Sequence, residues 1–97
     1  MQKLDLTHGF TTQERNAVMK QLQEMQAGNT EIMAGFGHKN STPIHDLAGV
    51  KERYGEGVWS KIKSETYFRR LNGDTIELHG YKNVTTGKVF GLKIKKQ

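Results

Sequence analysis

The 97-residue sequence contains no cysteine and a single proline. Without cysteine, neither a disulfide framework nor a thiolate zinc site can form, so the fold must depend on its apolar core. No apolar run is long enough to span a bilayer, and the polar segment 1–7 lacks the hydrophobic stretch of a secretory signal. We therefore expect a single domain, 1–97, without a membrane span, whose export would depend on another segment or protein.

Positive charge is scarce in the N-terminal half and abundant in the C-terminal half. Residues 1–48 hold four Lys/Arg against five acids, whereas residues 49–97 hold eleven against five, so the net charges are −1 and +6. A clustered positive field attracts polyanions and speeds their encounter with the protein. The C-terminal half is thus expected to engage a nucleic acid, and RNA is favoured over DNA; a basic surface without a specific partner is the alternative.

The N-terminal segment 1–64 is predicted to be mainly helical. Thr11 and Glu14 have the spacing of a capping box, which predicts a helix over Thr12–Ala27 that ends before Gly28. Pro43 suits the first position of a second helix that ends near Tyr54.

The segment Gly35-Phe36-Gly37 is interpreted as a loop because neither a strand nor a helix start flanks it.

The segment after Tyr54 is less regular. Val58, Trp59 and Ile62 are consistent with one or two further helical turns, with Trp59 as a core residue.

The segment 65–97 is predicted to be an antiparallel β-meander of at least three strands. Asn72-Gly73 is typical of a two-residue hairpin turn between the strands 66–71 and 74–78. Thr85-Thr86-Gly87 fits a three-residue hairpin loop before a third strand, 88–95. The predicted fold class is α+β, with N-terminal helices packed on this C-terminal sheet.

Both turns together predict the pairing of the strands and the residues on each face. Leu71 would lie opposite Asp74 and Val84 opposite Lys88, and side chains alternate between the two faces of a strand. The face packed on the helices would contain Tyr67, Ile76, Leu78, Leu92 and Ile94. The opposite face would contain Phe68, Arg70, Glu77, His79, Tyr81, Lys93 and Lys95.

The second of these faces combines the groups that metal-independent cleavage of RNA requires. Such cleavage needs a base for the 2′-hydroxyl proton, an acid for the leaving oxygen and cations for the charge on phosphorus. Glu77 and His79 are predicted to divide the acid and base roles. Arg70, Lys93 and Lys95 would bind the phosphate, and Tyr81 or Phe68 would stack on a base.

Plainer interpretations of these residues remain open. Glu77 and Lys95 suit an exposed cross-strand ion pair, worth at most about 1 kcal/mol. His8, His38 and His45 lack ligand partners at metal spacing, so we expect no metal site and no cofactor.

The stretch 74–95, DTIELHGYKNVTTGKVFGLKIK, resembles the C-terminal hairpin of bacterial polymorphic and contact-dependent-inhibition toxin domains. In these domains, an (I/V)E(L/V)H…N…TGK…K run lies at the C-terminal end of a small ribonuclease of the barnase, colicin and RelE-like fold group. The resemblance covers about a quarter of the chain. It implies cleavage of RNA, including tRNA, in the cytoplasm of a target bacterium after delivery by a secreted toxin, and a cognate immunity protein as partner. Its matching polar positions are Glu77, His79, Thr85, Thr86 and Lys88, the last three as substrate-binding residues.

Two other functions are open at this point. The segments 50–55 and 58–67 resemble the helix-turn-helix of phage and endonuclease-associated DNA-binding proteins, which would place Lys61 and Lys63 near the DNA backbone and Ser60 near a base edge. A phage or mobile-element inhibitor that binds a host protein through the basic sheet is the third possibility.

Overall fold

The computed structural model describes residues 7–96, which form two helices and one antiparallel sheet. The elements are α1 (Thr12–Gln26), β1 (Thr30–Gly35), α2 (Leu47–Tyr54), β2 (Trp59–Ser64), β3 (Phe68–Arg69), β4 (Thr75–Asn83) and β5 (Val89–Lys96). β4 is central: β5 pairs with one edge, β2 and the short β3 pair with successive parts of the other edge, and β1 pairs with β2. The α+β class and the antiparallel C-terminal sheet are confirmed.

The first helix begins and ends where the sequence predicts. The Thr11 hydroxyl accepts a hydrogen bond from the Glu14 backbone N–H at 3.1 Å, and the Glu14 carboxylate accepts one from the Thr11 backbone N–H at 2.8 Å. This reciprocal cap satisfies two backbone donors that a helix start leaves unpaired. α1 continues to Gln26 and is capped by Ala27.

The second helix is shorter than predicted. It starts at Leu47 and not at Pro43, because Asp46 is its N-cap and accepts a hydrogen bond from the Gly49 backbone N–H at 3.2 Å. Within residues 7–96, neither helix is long and apolar enough to cross a membrane.

The predicted helical turns at Val58–Ile62 are wrong, because this segment is strand β2. Trp59 and Lys61 point to one face while Ser60 and Ile62 point to the other, which is the two-residue period of a strand. β2 pairs with both β1 and β4, so both of its edges are hydrogen-bonded. The segment 1–64, predicted to be mainly helical, therefore supplies the two strands β1 and β2. The segment that resembles the second helix of a helix-turn-helix does not form a helix.

The two faces of the sheet pack on different helices. The face toward α1 buries Phe10, Val18, Met25, Ile62, Ile76 and Leu78, against which Phe68, Leu92 and Ile94 also pack. The other face is covered at one end by α2, in a cluster of Ala34, Ile44, Val50 and Trp59 with Tyr54, Tyr81 and Phe90. The predicted core face is confirmed for 76, 78, 92 and 94, but Tyr67 is 69% exposed and is not part of it.

Candidate functional site

The pairing of β4 with β5 brings the predicted acid, imidazole and lysines together. Glu77 lies opposite Lys95 and His79 opposite Lys93, as the sequence predicts. The loop is one residue longer than predicted, since the Asn83 backbone N–H donates to the Lys88 carbonyl at 2.8 Å. A β-bulge between His79 and Tyr81 restores the register, so that Tyr81 lies opposite Phe90 and not Gly91.

The turn between β3 and β4 differs from the prediction by one residue. The Arg70 backbone N–H donates to the Asp74 carbonyl at 2.8 Å, so the loop has three residues and not two. Gly73 alone in this loop has a positive φ, of 96°, and the Asn72 side chain accepts a hydrogen bond from the Asp74 backbone N–H at 3.0 Å. This is the alternative hairpin with a left-handed glycine at its third position, which does not need Asn72 in a strained conformation.

The shift of one residue moves Phe68 and Arg70 to the face that packs on α1. Phe68 lies opposite Ile76 and packs against the core. The Arg70 guanidinium lies 4.1 Å above the Phe10 ring and donates to the Glu14 carboxylate at 2.9 Å. The prediction that Arg70 and Phe68 share a face with His79 is therefore wrong, because a one-residue change of register reverses every side chain of a strand.

Glu14 is held in place by the same contacts. Its hydrogen bond from the Thr11 backbone N–H, together with the Arg70 guanidinium, keeps the pKa of Glu14 below its ordinary value of 4.5. Arg70 therefore has a structural partner on α1 and lies on the opposite side of the sheet from His79.

The opposite side of the sheet carries a group of charged residues beyond the end covered by α2. We call this group the basic face; it consists of Glu31, Lys61, Lys63, Glu77, His79, Lys93 and Lys95. Lys63 and Lys93 lie opposite His79 on the two neighbouring strands. Neighbouring strands are about 4.8 Å apart, so the imidazole lies between two lysine-bearing backbones.

Glu77 and His79 form the centre of the basic face. Glu77 Oε1 lies 3.4 Å from His79 Nε2, and Glu77 Oε2 lies 3.7 Å from Lys63 Nζ. The His79 residue is 5% exposed, and its Nδ1 is buried with no hydrogen-bond partner among the described residues. The imidazole can therefore exchange a proton with Glu77 through Nε2, while Glu77 is the more accessible of the two.

The surroundings of His79 favour its neutral form. Burial lowers the pKa of His79 below its ordinary value of 6.5, the Glu77 carboxylate opposes this effect, and Lys95 and Lys61 add to it. A bound anion would screen these lysines and add negative charge next to the imidazole. Binding of a phosphate would therefore favour the protonated form of His79.

Tyr81 lies on the same face as His79, at its border with α2. Its ring centroid is 6.4 Å from that of Tyr54, and Lys61 lies opposite Tyr81 on β2. The side chain is half-buried. Tyr81 thus lies on the face that the sequence predicts, while its stacking on a base stays a prediction.

Thr85, Thr86 and Lys88 are not close to the centre of the basic face. They lie in the β4–β5 loop, where the Thr85 hydroxyl accepts a hydrogen bond from the Val58 backbone N–H at 3.3 Å. The Thr86 hydroxyl accepts one from the Lys88 backbone N–H, also at 3.3 Å. The loop begins after Asn83, which is four residues along the strand and hence about 13 Å from His79. The two threonine hydroxyls therefore hold the loop through backbone contacts.

Lys61, Lys63 and Glu31 are site residues that the sequence analysis did not assign to this face. Glu31 of β1 lies opposite Lys63, and its carboxylate is 3.3 Å from Lys63 Nζ. The alternation in Trp-Ser-Lys-Ile-Lys-Ser, 59–64, is the signal that would have placed both lysines on a strand next to β4. This signal was missed because the segment was interpreted as helical turns.

The histidines outside the sheet do not extend the site. His38 Nδ1 accepts hydrogen bonds from the Asn40 and Thr42 backbone N–H groups, both at 3.3 Å, which shape the loop after β1. Within residues 7–96, no group of three or more His, Asp or Glu side chains is arranged to hold a metal ion.

Comparisons of the chain with protein-family models, with curated proteins and with solved structures found no match.

Proposed function

We propose that this protein is a ribonuclease that cleaves RNA without a metal ion, by general acid–base catalysis on the basic face. The observation that supports the proposal most directly is the 3.4 Å separation of Glu77 Oε1 and His79 Nε2 between strands that carry lysines. A carboxylate and an imidazole at this distance can act as proton acceptor and proton donor of one reaction. The surrounding ammonium groups supply the positive charge that a phosphodiester attracts.

The reaction proposed is an internal transesterification. The 2′-oxygen bonds to phosphorus as the bond from phosphorus to the 5′-oxygen breaks, which leaves a 2′,3′-cyclic phosphate and a 5′-hydroxyl. Glu77, the more accessible group, accepts the 2′-hydroxyl proton, and protonated His79 donates its Nε2 proton to the departing oxygen. The proton on Glu77 can then pass to His79, which restores both groups.

Three lysines of the basic face, Lys61, Lys93 and Lys95, would bind the phosphate and stabilise the charge that develops on it. Lys93 and Lys95 are exposed on β5, while Lys61 is half-buried on β2. Tyr81 at the border of the face would stack on an adjacent base, which suits single-stranded RNA because its bases are unpaired. Single-stranded regions, such as the loops of tRNA, are therefore the proposed substrates.

The toxin part of the proposal depends on the resemblance of the stretch 74–95 to polymorphic toxin domains. It is supported by the short distance, 3.4 Å, between Glu77 Oε1 and His79 Nε2 of that stretch. In this proposal the domain acts in the cytoplasm of a target bacterium, and an immunity protein blocks the basic face.

The test is cleavage of end-labelled RNA in EDTA by the wild type, Glu77→Gln and His79→Gln. We expect discrete wild-type products with cyclic phosphate ends. Both variants should lose about 10²-fold or more in rate, the range of one general acid or base. Glu65→Gln and His45→Ala serve as matched controls, because both residues are exposed and lie outside the basic face.

The fold of each variant is checked by circular dichroism, and affinity is measured with a 2′-O-methyl RNA that lacks the nucleophile. Glu77→Gln and His79→Gln should retain this affinity. RNA that stays intact with the wild-type protein, or cleavage that EDTA abolishes, would contradict the proposal.

A second candidate function is binding of a protein partner, favoured by an exposed apolar patch. Phe36 is 59% exposed, Val58 44% and Leu47 38%, and all three border one cavity of about 310 Å³. Exposed apolar side chains that cluster mark interaction sites more often than isolated ones do. If this patch carries the function, Phe36→Glu should abolish activity in a bacterial growth assay, whereas Glu77→Gln should not.

A further inference from the structure

Four side chains from three strands form a continuous series of polar contacts on the basic face. Glu31 Oε2 lies 3.3 Å from Lys63 Nζ, Lys63 Nζ lies 3.7 Å from Glu77 Oε2, and Glu77 Oε1 lies 3.4 Å from His79 Nε2. Lys63 and His79 therefore contact different oxygens of the same carboxylate.

The register of the sheet produces this series. Lys63 lies directly opposite Glu31 on β1 and directly opposite His79 on β4, so it contacts Glu77 diagonally. Diagonal neighbours on one face are within reach of long side chains. The Lys63 side chain is 29% exposed and that of Glu77 is 13% exposed, so their contact is partly shielded from solvent.

We propose that Lys63 is a positioning residue of the ribonuclease site, which binds Glu77 Oε2 and thereby directs Glu77 Oε1 toward His79. The inference rests on the proposed function, since it assigns a role within that reaction. Glu31 supports the role because it holds the ammonium group from the opposite side. Lys63 itself is not placed in contact with the reacting atoms.

The physical reason is the freedom of a glutamate side chain. The terminal torsion of glutamate is broad, so a carboxylate without a fixed contact samples many orientations. The Lys63 ammonium group at Oε2 restricts this torsion in the orientation in which Oε1 faces the imidazole. A small misplacement of a catalytic group lowers the rate by about 10²-fold, so loss of Lys63 should reduce kcat more than it changes KM.

Lys63 also changes the charge that His79 experiences. The charged groups that face His79 are Glu77 on its own strand, Lys61 and Lys63 on β2, and Lys93 and Lys95 on β5. Lys63→Met removes one cation and leaves the Glu77 carboxylate less compensated. The pKa of His79 should therefore rise in this variant.

The experiment compares Lys63→Met and Lys63→Arg with Lys82→Met as the matched control. Lys82 lies on β4, where the alternation of the strand places it on the opposite face from His79. We expect Lys63→Met to lower kcat by about 10²-fold, Lys63→Arg to recover most of the rate, and Lys82→Met to match the wild type.

A second measurement does not depend on cleavage. NMR titration of the His79 imidazole should show a higher pKa in Lys63→Met than in the wild type, and no change in Lys82→Met. An unchanged titration in Lys63→Met overturns the positioning role, whether or not the wild type cleaves RNA. A shifted titration in a protein that leaves RNA intact supports the Lys63 contact and overturns the ribonuclease instead.

Discussion

His79 has surroundings unlike those of an exposed histidine. It is buried, its Nε2 faces Glu77, and its Nδ1 has no hydrogen-bond partner among the described residues. A buried nitrogen without a partner costs free energy, and such groups often mark functional sites. The buried imidazole lies on β4, between the two lysine-bearing strands β2 and β5.

The lowered pKa of His79 predicts how the free energy of unfolding depends on pH. The unfolded chain binds a proton at His79 near pH 6.5, whereas the folded protein does so only at lower pH. The contribution of His79 is fully present above pH 6.5 and is lost as the pH falls from there toward the folded pKa. Urea unfolding at a series of pH values should show this slope, and His79→Gln should lack it.

His45→Ala is the control for this measurement, since His45 is exposed and not buried. Its slope should equal that of the wild type. An identical slope in His79→Gln and the wild type would show that His79 does not titrate below its ordinary range.

The same residue predicts the pH dependence of RNA cleavage. As the proposed acid, His79 must carry a proton, so kcat/KM should fall as the pH rises through its lowered pKa in the free protein. In the complex, the phosphate partly neutralises Lys61 and Lys95, which raises the pKa of His79. The descending limb of kcat should therefore lie at higher pH than that of kcat/KM, which initial rates over a pH series will test.

A rate that rises with pH through this range would instead assign His79 as the base. The proposed roles of Glu77 and His79 would then be exchanged. A group acts as a base only when it is deprotonated and as an acid only when it is protonated.

At the scale of elements, the β4–β5 hairpin depends on the bulge described above, in which Gly91 and Leu92 of β5 lie opposite Gly80 of β4. Gly91 has a φ of 62°, and an added Cβ would lie 2.6 Å from the Tyr54 hydroxyl oxygen of α2. The absence of a side chain lets α2 approach the sheet, and the bulge returns the register that aligns His79 with Lys93.

Gly91→Ala should therefore destabilise the protein through both the backbone strain and the contact with Tyr54. Strain at one such position costs about 1–3 kcal/mol. Gly28→Ala is the matched control, because Gly28 also has a positive φ, of 94°, but no atom within 4 Å of an added Cβ. Urea unfolding should show a larger loss for Gly91→Ala than for Gly28→Ala, and Tyr54→Phe should recover part of it.

Equal losses for the two glycine variants would mean that Tyr54 moves away without cost, and that the close packing of α2 does not depend on Gly91.

At the scale of the whole molecule, the two faces of the sheet have different roles. One face is occupied by α1 and its apolar contacts. The other is divided between the aromatic cluster under α2 and the basic face. A sheet that is covered by one helix on one side and only partly covered on the other leaves charged side chains exposed, which the proposed function assigns to RNA binding.

This arrangement predicts which lysines control the salt dependence of RNA binding. The loss of one lysine–phosphate contact with a single strand reduces the magnitude of the slope of log K against log salt by about 0.7. Lys93→Gln and Lys95→Gln should each produce this reduction, measured by fluorescence anisotropy with a labelled 2′-O-methyl RNA. Lys20→Gln is the control, because Lys20 is an exposed residue of α1. If Lys20→Gln lowers the slope as much, binding is a diffuse effect of net charge.

Local patterns in the sequence determined the parts of the fold that depend on neighbouring residues. The capping box at Thr11 fixes the start of α1, and the alternation in β4 places Glu77 and His79 on one face. Both features follow from interactions within a few residues, so they can be predicted without knowledge of the rest of the chain. The pairing of His79 with Lys93 was also predicted correctly. It holds because the longer loop and the bulge at Gly91 shift the strand register by one residue in opposite directions.

Tertiary structure decided the features that depend on distant partners. Trp59–Ser64 is a strand because β1 and β4 hydrogen-bond to both of its edges, which local propensity does not reveal. Arg70 turns toward Glu14 and Phe10 because one hairpin loop has three residues instead of two. The sequence thus predicted that Glu77 and His79 share a face, whereas only the assembled sheet brought Lys61, Lys63 and Glu31 to them, since these residues come from strands distant in sequence.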